Sequence, residues 1–344
     1  GMKTIFPINL GMSCSWDIEG IKNSARVAAR EAIAAGLNWT FSPMVDVTRD
    51  PRWGRVSEGS GEDSYLGSLI AAAMVEGYQG ESPESLASDS TILACIKHFA
   101  AYGAPQAGRD YQTVDITDRT LREVYLPPYQ AGIDAGVGSV MSAFNDIDAV
   151  PATASHYLMT DILRKEWGFN GFVVTDFTAI NELVPHGVAA DSMEAGALAL
   201  NAGINMDLQG DIYHRFLKQL VEQKKVSLRQ VDRMCAGVLR VKCALGLFDD
   251  PYRYLDTTAA AREFYKPENL AAARDMARKS IVLLKNDNRT LPITTGRKIA
   301  LIGPFANSRI DLLGSWDGQG DTSHVVSILQ GMQERFGHDK IIFT

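Results

Sequence analysis

The stretch Gly171-Phe-Val-Val-Thr-Asp176 decides the fold class of this chain. Its residues 172–175 are apolar or β-branched, which is typical of a short strand buried on both faces, and Asp176 follows at once. Similar runs, each leading to a helical pattern, lie at Asn38–Val45, Thr91–Ile96, Ser139–Phe144 and Ile204–Leu208. Alternating strands and helices of this kind predict parallel strands.

Polar residues stand at the ends of these runs. They are Asp46, Lys97, His98, Asn145 and Asp176, with Asp207 inside the last run. A closed barrel directs all its carboxyl ends at one mouth, whereas an open sheet has a single crevice. The distribution therefore predicts a TIM-type (β/α)8 barrel with one shared pocket. For Asn145 and Asp207 we expect hydrogen bonds to loop backbone instead of a direct role.

Helix signals fill the segments between the runs. Asp17 can cap a helix whose apolar face runs to Ala35, and Gly36 suits a left-handed stop. Further helices are predicted at Ser64–Tyr78, Asp118–Ala135, Tyr157–Glu166, Ser192–Ala202 and Ser227–Leu245. Pro127 and Pro128 should break or kink the second of these five.

Only five of eight barrel strands can be counted, so we expect the chain to be truncated at both ends and to lack the first strands. Open barrel edges would favour self-association. We predict a partial barrel over residues 1–248, a linker over 249–275 and the beginning of an α/β sandwich domain over 276–344. In that last part the expected elements are a short buried strand or helix end at Ile281–Leu284, a strand at Lys298–Pro304, a helix at His324–Phe336 and a strand at Lys340–Phe343.

Composition excludes several classes of protein. With 34 Lys+Arg against 41 Asp+Glu and 46% hydrophobic residues, the chain is not disordered. It has no basic cluster for nucleic acid and no apolar run of about 18 residues for a membrane span. The four cysteines lack metal spacing, no loop has carboxylates spaced for calcium, and no cofactor is indicated.

Five motifs together carry a resemblance. They are Phe41-Ser-Pro-Met-Val-Asp46, Asp50-Pro-Arg-Trp-Gly-Arg55, Lys97-His-Phe-Ala-Ala-Tyr-Gly103, Val140-Met-Ser-Ala-Phe-Asn145 and Gly171-Phe-Val-Val-Thr-Asp176. In order and spacing the chain resembles glycoside hydrolase family 3, in particular its bacterial periplasmic β-glucosidase type. The likeness continues through 277–286 and 302–304.

The resemblance implies a retaining O-glycosyl hydrolase acting on terminal β-D-glycosidic bonds, with Asp176 as the nucleophile. It also implies that Arg55, Lys97 and His98 hold sugar hydroxyls; the alternative for Arg55 is a loop-bracing ion pair with Glu58 or Glu62. Adjacent residues of a strand point differently, so the strand must bend at Lys97 and His98, and a non-proline cis bond is conceivable there. Met141, Phe144 and Phe177 complete the predicted substrate-binding set.

Two departures concern aromatic residues. Phe144 stands where many relatives carry Tyr, and Phe177 where some carry Trp. The segment 97–103 lacks the second histidine of the branch that cleaves N-acetylglucosaminides, which disfavours that branch. The resemblance further implies that the general acid lies downstream in the second domain and that a sugar-binding Asp ends a barrel strand upstream. The fragment is therefore expected to be weakly active or inactive.

Three functions compete at this point. The first is a β-glucosidase or β-xylosidase acting on an oligosaccharide or β-glycoside. The second is a non-catalytic carbohydrate-binding fragment. The third is a barrel lyase or aldolase that uses Lys97 as a Schiff base. By resemblance alone, the location is periplasmic or secreted.

Overall fold

A parallel sheet forms the centre of the molecule in the computed structural model, which describes residues 3–294, 296–314, 316–317 and 320–344. The strands are β1 Cys95–Phe99, β2 Ser139–Ser142, β3 Asp146–Ile147, β4 Val150–Pro151, β5 Phe172–Thr175, β6 Ile299–Leu301 and β7 Ile341–Phe343. The central sheet has the order β1-β2-β5. Its β2 and β5 pair without interruption, from Ser139 with Phe172 to Ser142 with Thr175. Residues 172–175, which precede Asp176, therefore form a strand of a parallel sheet, as predicted.

The first and last predicted strands are present only as single parallel bridges. The run 38–45 contacts the β1 side of the sheet at the pairs Trp39–Leu93 and Met44–Lys97, and Met206 bridges to Val174 of β5. A continuous strand over 38–45 was a wrong expectation, because Pro43 lacks the backbone N–H that a strand ladder needs. The side-by-side order of the five runs is nevertheless the predicted one.

Eleven α-helices occur in the described part of the chain. They are α1 Asn9–Ser13, α2 Ile18–Ile33, α3 Ser64–Gln79, α4 Asp118–Thr120, α5 Pro127–Asp134, α6 Ser192–Ala202, α7 Ile212–Glu222, α8 Leu228–Ala244, α9 Ala259–Glu263, α10 Pro267–Lys279 and α11 Ile328–Phe336. Two π-helical turns add Leu121–Tyr125 and Tyr157–Glu166. Asp17 caps α2 by accepting from the Gly20 N–H, as predicted. The predicted helix 118–135 is interrupted, with α5 beginning at Pro127.

Helix α7 was not predicted. It begins after Asp211, which has a left-handed φ of 59°. The Asp211 side chain accepts no hydrogen bond from the first turn, so the usual N-cap interaction is missing. Its first residues, Ile212-Tyr-His-Arg-Phe, include β-branched and aromatic types with modest helix propensity. The local signals therefore did not mark a helix at this position.

The two faces of the central sheet bury different residues. Ile96, Val140 and Val173 belong to the large core shared with the surrounding helices. Cys95, Met141 and Val174 belong to a second cluster on the other face. Alternation along each strand explains the division, because successive side chains point to opposite faces.

Helices α2 and α3 pack closely at Gly77. A Cβ at this glycine would lie 2.5 Å from the Lys22 carbonyl oxygen and 2.6 Å from the Ala25 Cβ. The close approach fixes α3 against α2 on the outer side of the sheet. Neither this helix pair nor any other helix in the described ranges is long and apolar enough to cross a membrane.

The C-terminal part has its own small sheet. Strands β6 and β7 pair in parallel, with α11 between them in sequence, so a β-α-β unit is present as predicted. Helix α11 begins at Ile328, later than predicted, where the Ser327 side chain caps the Gln330 N–H. Helix α10 packs on the barrel side, since Met276 is 2% exposed and belongs to the large core.

The expected buried strand or helix end at Ile281–Leu284 is wrong. These residues have no regular structure, and all four side chains are exposed, with Leu284 at 91%. Apolar composition predicts burial only where another element covers it. Within the described ranges no strand pairs with this segment.

Candidate active site

Strand β1 is irregular at two of its own residues, Lys97 and His98. Its pairing with β2 shifts between Ile96, which faces Val140, and Phe99, which faces Ser142. The Lys97–His98 peptide bond is cis. The expected bend is therefore confirmed, and the two side chains are not held in the opposite directions of a regular strand.

His98 is the best-connected side chain of the site and is 1% exposed. Its Nδ1 lies 2.8 Å from Asp46 Oδ2, and its backbone N–H donates to the same oxygen at 3.0 Å. On the other side of the ring, Nε2 lies 3.2 Å from Arg55 Nη2 and 3.4 Å from Asp176 Oδ2. One imidazole thus joins the ends of three different segments.

Arg55 is held by Glu58 in a two-point ion pair. Nε donates to Oε1 at 2.8 Å and Nη2 donates to Oε2 at 3.0 Å. Burial opposes the charge on Arg55, but the pair with Glu58 raises the pKa of Arg55 overall. Burial likewise opposes ionisation of Glu58, whose pKa is lowered overall by Arg55 with a contribution from Lys97. The bracing ion pair expected as an alternative is present, yet it leaves Nη1 without a hydrogen bond to any described residue.

Asp176 directly follows β5, and its side chain is 15% exposed. Oδ1 accepts a hydrogen bond from the Phe177 N–H at 2.7 Å. Oδ2 faces the imidazole of His98. The carboxylate is thus fixed at the carboxyl end of the strand and is not turned into the protein interior.

Lys97 lies within β1, in the same sheet as β5, and is partly buried. Within the described ranges its ammonium makes no ion pair, although its charge lowers the pKa of Glu58. Beneath it, the Cys95 thiol is fully buried, and burial raises its pKa to about 12. This thiol is therefore protonated at neutral pH and is no competitor of Asp176 as a nucleophile.

Aromatic rings line one side of the site. Phe144 is 7% exposed, and its ring centroid lies 4.9 Å from that of Tyr111 and 5.9 Å from that of Tyr102. Phe177 is 58% exposed beside the carboxylate of Asp176. A sugar ring could lie on such apolar surfaces.

Met141 of the predicted substrate-binding set lies deeper. It is 2% exposed and packs in the cluster that contains Cys95 and Val174. It lies in β2 opposite Val174 of β5, and Val174 is two residues before Asp176. Its contact with a substrate stays a prediction.

Two residues near Asp176 were missed by the sequence reasoning. Burial, with the negative charge of Asp176 added, raises the pKa of Glu182. Burial and the charges of Asp110, Glu182 and Asp176 raise the pKa of Tyr111 against a smaller opposing effect of Arg55. Glu182 comes six residues after Asp176 on the turn that leaves β5, which is the one local signal that could have singled it out.

Asn145 and Asp207 bind loop backbone, as expected. Asn145 Nδ2 donates to the Ala100 carbonyl at 3.3 Å. Asp207 Oδ2 accepts from the Ile212 N–H at 2.7 Å, at the start of α7. In the part of the chain described here, no three His, Cys, Asp or Glu side chains are grouped so that they could hold a metal ion.

Comparison with known proteins agrees with this architecture. The sequence matches the glycosyl hydrolase family 3 N terminal domain over residues 1–241 and the glycosyl hydrolase family 3 C-terminal domain over residues 281–342. The first match covers well over half of the chain. The chain therefore belongs to glycosyl hydrolase family 3, and the TIM-type fold class is confirmed.

Individual relatives are similar over the whole chain. A periplasmic beta-glucosidase of Salmonella typhimurium is 44% identical over 100% of this chain and 45% of that protein. A beta-xylosidase of Formosa agariphila is 37% identical over 100% of this chain and 50% of that protein. The crystal structure of a beta-glucosidase from Listeria innocua in complex with glucose matches with a TM-score of 0.94 at 42% identity, over 99% of this chain and 46% of that one. The chain thus spans about half the length of the curated relatives it matches.

Proposed function

We propose that the chain carries the nucleophile and part of the sugar-binding surface of a retaining β-glycosidase of the β-glucosidase type. One observation supports this most: the enclosed carboxylate of Asp176 stands at the end of β5, 3.4 Å from an imidazole that Arg55 also contacts. A retaining mechanism needs such a fixed carboxylate to attack the anomeric carbon. An acid that protonates the departing oxygen is not assigned to any described residue.

In this proposal the nucleophile acts in two steps. The carboxylate of Asp176 forms a bond to the anomeric carbon as the glycosidic C–O bond breaks, and the departing oxygen takes a proton from solvent. Water then attacks the same carbon and releases a proton to solvent, the ester bond to Asp176 breaks, and the carboxylate is regenerated. The configuration at the anomeric carbon is retained because it is inverted twice.

The binding roles follow from unused donors. Arg55 has Nη1 available, and the ammonium of Lys97 has three donors with no ion pair to a described residue. These groups could hold hydroxyls of the sugar, with Phe177 and Phe144 against its apolar face. Contacts that strengthen as the ring flattens would raise the rate, not only the affinity.

A β-xylosidase specificity is the second candidate, because a relative of that name is 37% identical over the whole chain. The two sugars differ in one exocyclic hydroxymethyl group, so pocket width decides between them. Borohydride treatment distinguishes a hydrolase from a lyase, because a lyase would form a Schiff base at Lys97 that borohydride traps. No trapping is expected.

Aryl and alkyl β-glycosides test this proposal. We expect release of nitrophenol from aryl β-glucosides, with aryl β-xylosides slower, and far slower release of alkyl alcohols because a poor leaving group depends more on proton donation. Asp176→Asn should abolish release, and His156→Asn, an exposed histidine, should not. Binding of glucose without release from any glycoside would contradict the hydrolase proposal and favour a binding fragment.

Domain boundaries, location and self-association complete the proposal. We propose the boundaries 1–248, 249–275 and 276–344 for the barrel part, linker and second domain, and a periplasmic location like that of the Salmonella relative. Self-association would bury the open edges at the runs 38–45 and 204–208. Sedimentation velocity on the chain measures it directly.

A further inference from the structure

Asp46 is fully buried, and the imidazole of His98 lies between it and Asp176. Its side chain is 0% exposed, and three donors surround it. Tyr129 Oη lies 2.6 Å from Oδ1 and also 2.6 Å from the His98 carbonyl oxygen, while the His98 N–H and Nδ1 both approach Oδ2. Because the carboxylate is fully enclosed by these protein groups, its effect on chemistry must pass through another residue.

The Asp46 carboxylate determines which nitrogen of His98 carries a proton. An ionised carboxylate can only accept hydrogen bonds, so Nδ1 at 2.8 Å must be the donor. Burial and the neighbouring charge of Asp46 raise the pKa of Tyr129 well above its usual value. The phenol is therefore protonated, and Asp46 Oδ1 and the His98 carbonyl oxygen, both at 2.6 Å, share its one proton.

The other nitrogen, Nε2, faces two groups with opposite demands. Arg55 Nη2 can only donate, so its contact at 3.2 Å needs a bare lone pair on Nε2. Asp176 Oδ2 at 3.4 Å can only accept, so it would need a proton on Nε2. The approach of Arg55 meets hydrogen-bond geometry, whereas Asp176 is near the imidazole without a well-aligned N–H to its oxygen.

We propose that Asp46, supported by Tyr129, is a positioning residue that holds His98 as the neutral Nδ1–H tautomer and leaves Nε2 as an acceptor for Arg55. The proposal deepens the hydrolase function above and rests on it for its catalytic meaning. In this tautomer His98 donates nothing to Asp176. Among the described residues, Asp176 then keeps one hydrogen bond, from the Phe177 N–H, and its second oxygen stays available for attack.

The other groups around the imidazole are consistent with this state. The ring of Tyr102 lies edge-on at 5.2 Å between centroids, and the same ring faces the guanidinium of Arg55 at 5.5 Å. Glu58 is occupied by Arg55, and Lys97 adds positive charge to the same region. The aligned contact with Arg55 decides for the neutral form.

Nitrogen NMR of the chain labelled with ¹⁵N-histidine tests the tautomer without turnover. The chain has six histidines, and the His98 signals are assigned by their loss in His98→Asn. We expect a protonated Nδ1 and a bare Nε2 on His98. His214 is an internal control, because its Nδ1 also faces a carboxylate, Asp211 at 3.0 Å, but the side chain is 89% exposed and should not be locked. A protonated Nε2 as the main species of His98 would overturn the proposal.

Two variants test whether Asp46 is the cause. Asp46→Leu removes both acceptor oxygens, and the ratio of Nε2–H to Nδ1–H forms should rise about ten- to a hundredfold, as for loss of a hydrogen bond to a charged group. If circular dichroism shows that this variant does not fold, Asp46→Asn gives a smaller shift in the same direction, because an amide oxygen is a weaker acceptor. Unchanged His98 signals in the folded variant would refute a role of Asp46. Tyr129→Phe should keep the tautomer.

The outcome is separable from that of the proposed function. A locked Nδ1–H tautomer in a chain that does not cleave glycosides would leave this geometry intact and remove the hydrolase proposal. Cleavage of aryl glycosides with an Nε2–H tautomer would do the reverse.

Discussion

Oδ2 of Asp176 lies 3.4 Å from Nε2 of His98, and the same nitrogen lies 3.2 Å from Arg55. The strand end that carries the carboxylate is thereby tied to the loop that carries the guanidinium. Arg55 in turn is fixed by Glu58. A ligand placed against Asp176 would meet a preformed surface, and the following predictions depend on that surface.

Arg55→Lys should weaken glucose binding about ten- to a hundredfold, because a lysine cannot keep two bonds to Glu58, reach His98 and offer a further donor. Calorimetric titration with glucose measures the change in Kd. The matched control is Arg52→Lys: Arg52 also pairs with an acid, Asp50 at 2.6 Å, but its side chain is 70% exposed. Equal losses in the two variants would mean that Arg55 only braces its loop.

Phe177→Ala should weaken binding of aryl glucosides about three- to tenfold through the loss of an aromatic surface beside Asp176. The free energy of unfolding should hardly change, since the ring is 58% exposed. Phe248→Ala removes a ring of similar exposure, 62%, in the turn after α8, and serves as the control. Binding that is unaffected by Phe177→Ala would argue against a sugar platform at this position.

Glu182→Gln should stabilise the protein at neutral pH relative to acid pH. The pKa of Glu182 is raised by burial and by Asp176, so between the usual value of 4.5 and the raised value the folded state binds more protons than the unfolded state. The free energy of unfolding contributed by Glu182 therefore falls as pH rises through that window. The amide of Glu182→Gln does not titrate, so the variant does not suffer this loss. Urea midpoints at pH 4 and pH 7 measure the difference.

The control for this pH effect is Glu62→Gln, an exposed carboxylate. Its substitution should change the two midpoints alike. A Glu182→Gln variant that gains nothing at pH 7 relative to pH 4 would contradict a raised pKa of Glu182.

Gly77→Ala should lower the free energy of unfolding by about 1–3 kcal/mol, because the added Cβ would overlap α2 at 2.5 Å from a backbone oxygen. Gly331→Ala, in α11, has its nearest neighbour at 3.9 Å and should be neutral or stabilising by up to about 1 kcal/mol. Denaturant unfolding followed by circular dichroism compares the two. If Gly77→Ala is as stable as the parent, the helices do not pack as closely as described.

Sequence reasoning found the features that are encoded locally. The apolar run before Asp176 and the cap at Asp17 are each contained in a few neighbouring residues, and both are present in the structure. The break at Pro127 has the same origin, because proline acts on its own turn.

Features that depend on distant partners were missed or mistaken. His98 and Tyr129 follow Asp46 by 52 and 83 positions in the sequence. No local pattern predicts that the three residues meet. The exposed run Ile281–Leu284 shows the converse, since apolar residues specify a need for a cover but not its presence. At 38–45 the sequence did carry a signal against a continuous strand, because Pro43 removes a backbone donor.

The most direct test of the central assignment is covalent capture of the nucleophile. A 2-deoxy-2-fluoro-β-glucosyl fluoride needs no acid for its leaving group, and the fluorine at C2 slows hydrolysis of the ester that forms. Intact mass and peptide mapping should give one fluoroglucosyl group per chain, on the peptide that contains Asp176, and none in Asp176→Asn. A label on another residue, or an equal label in Asp176→Asn, would contradict the role of this carboxylate.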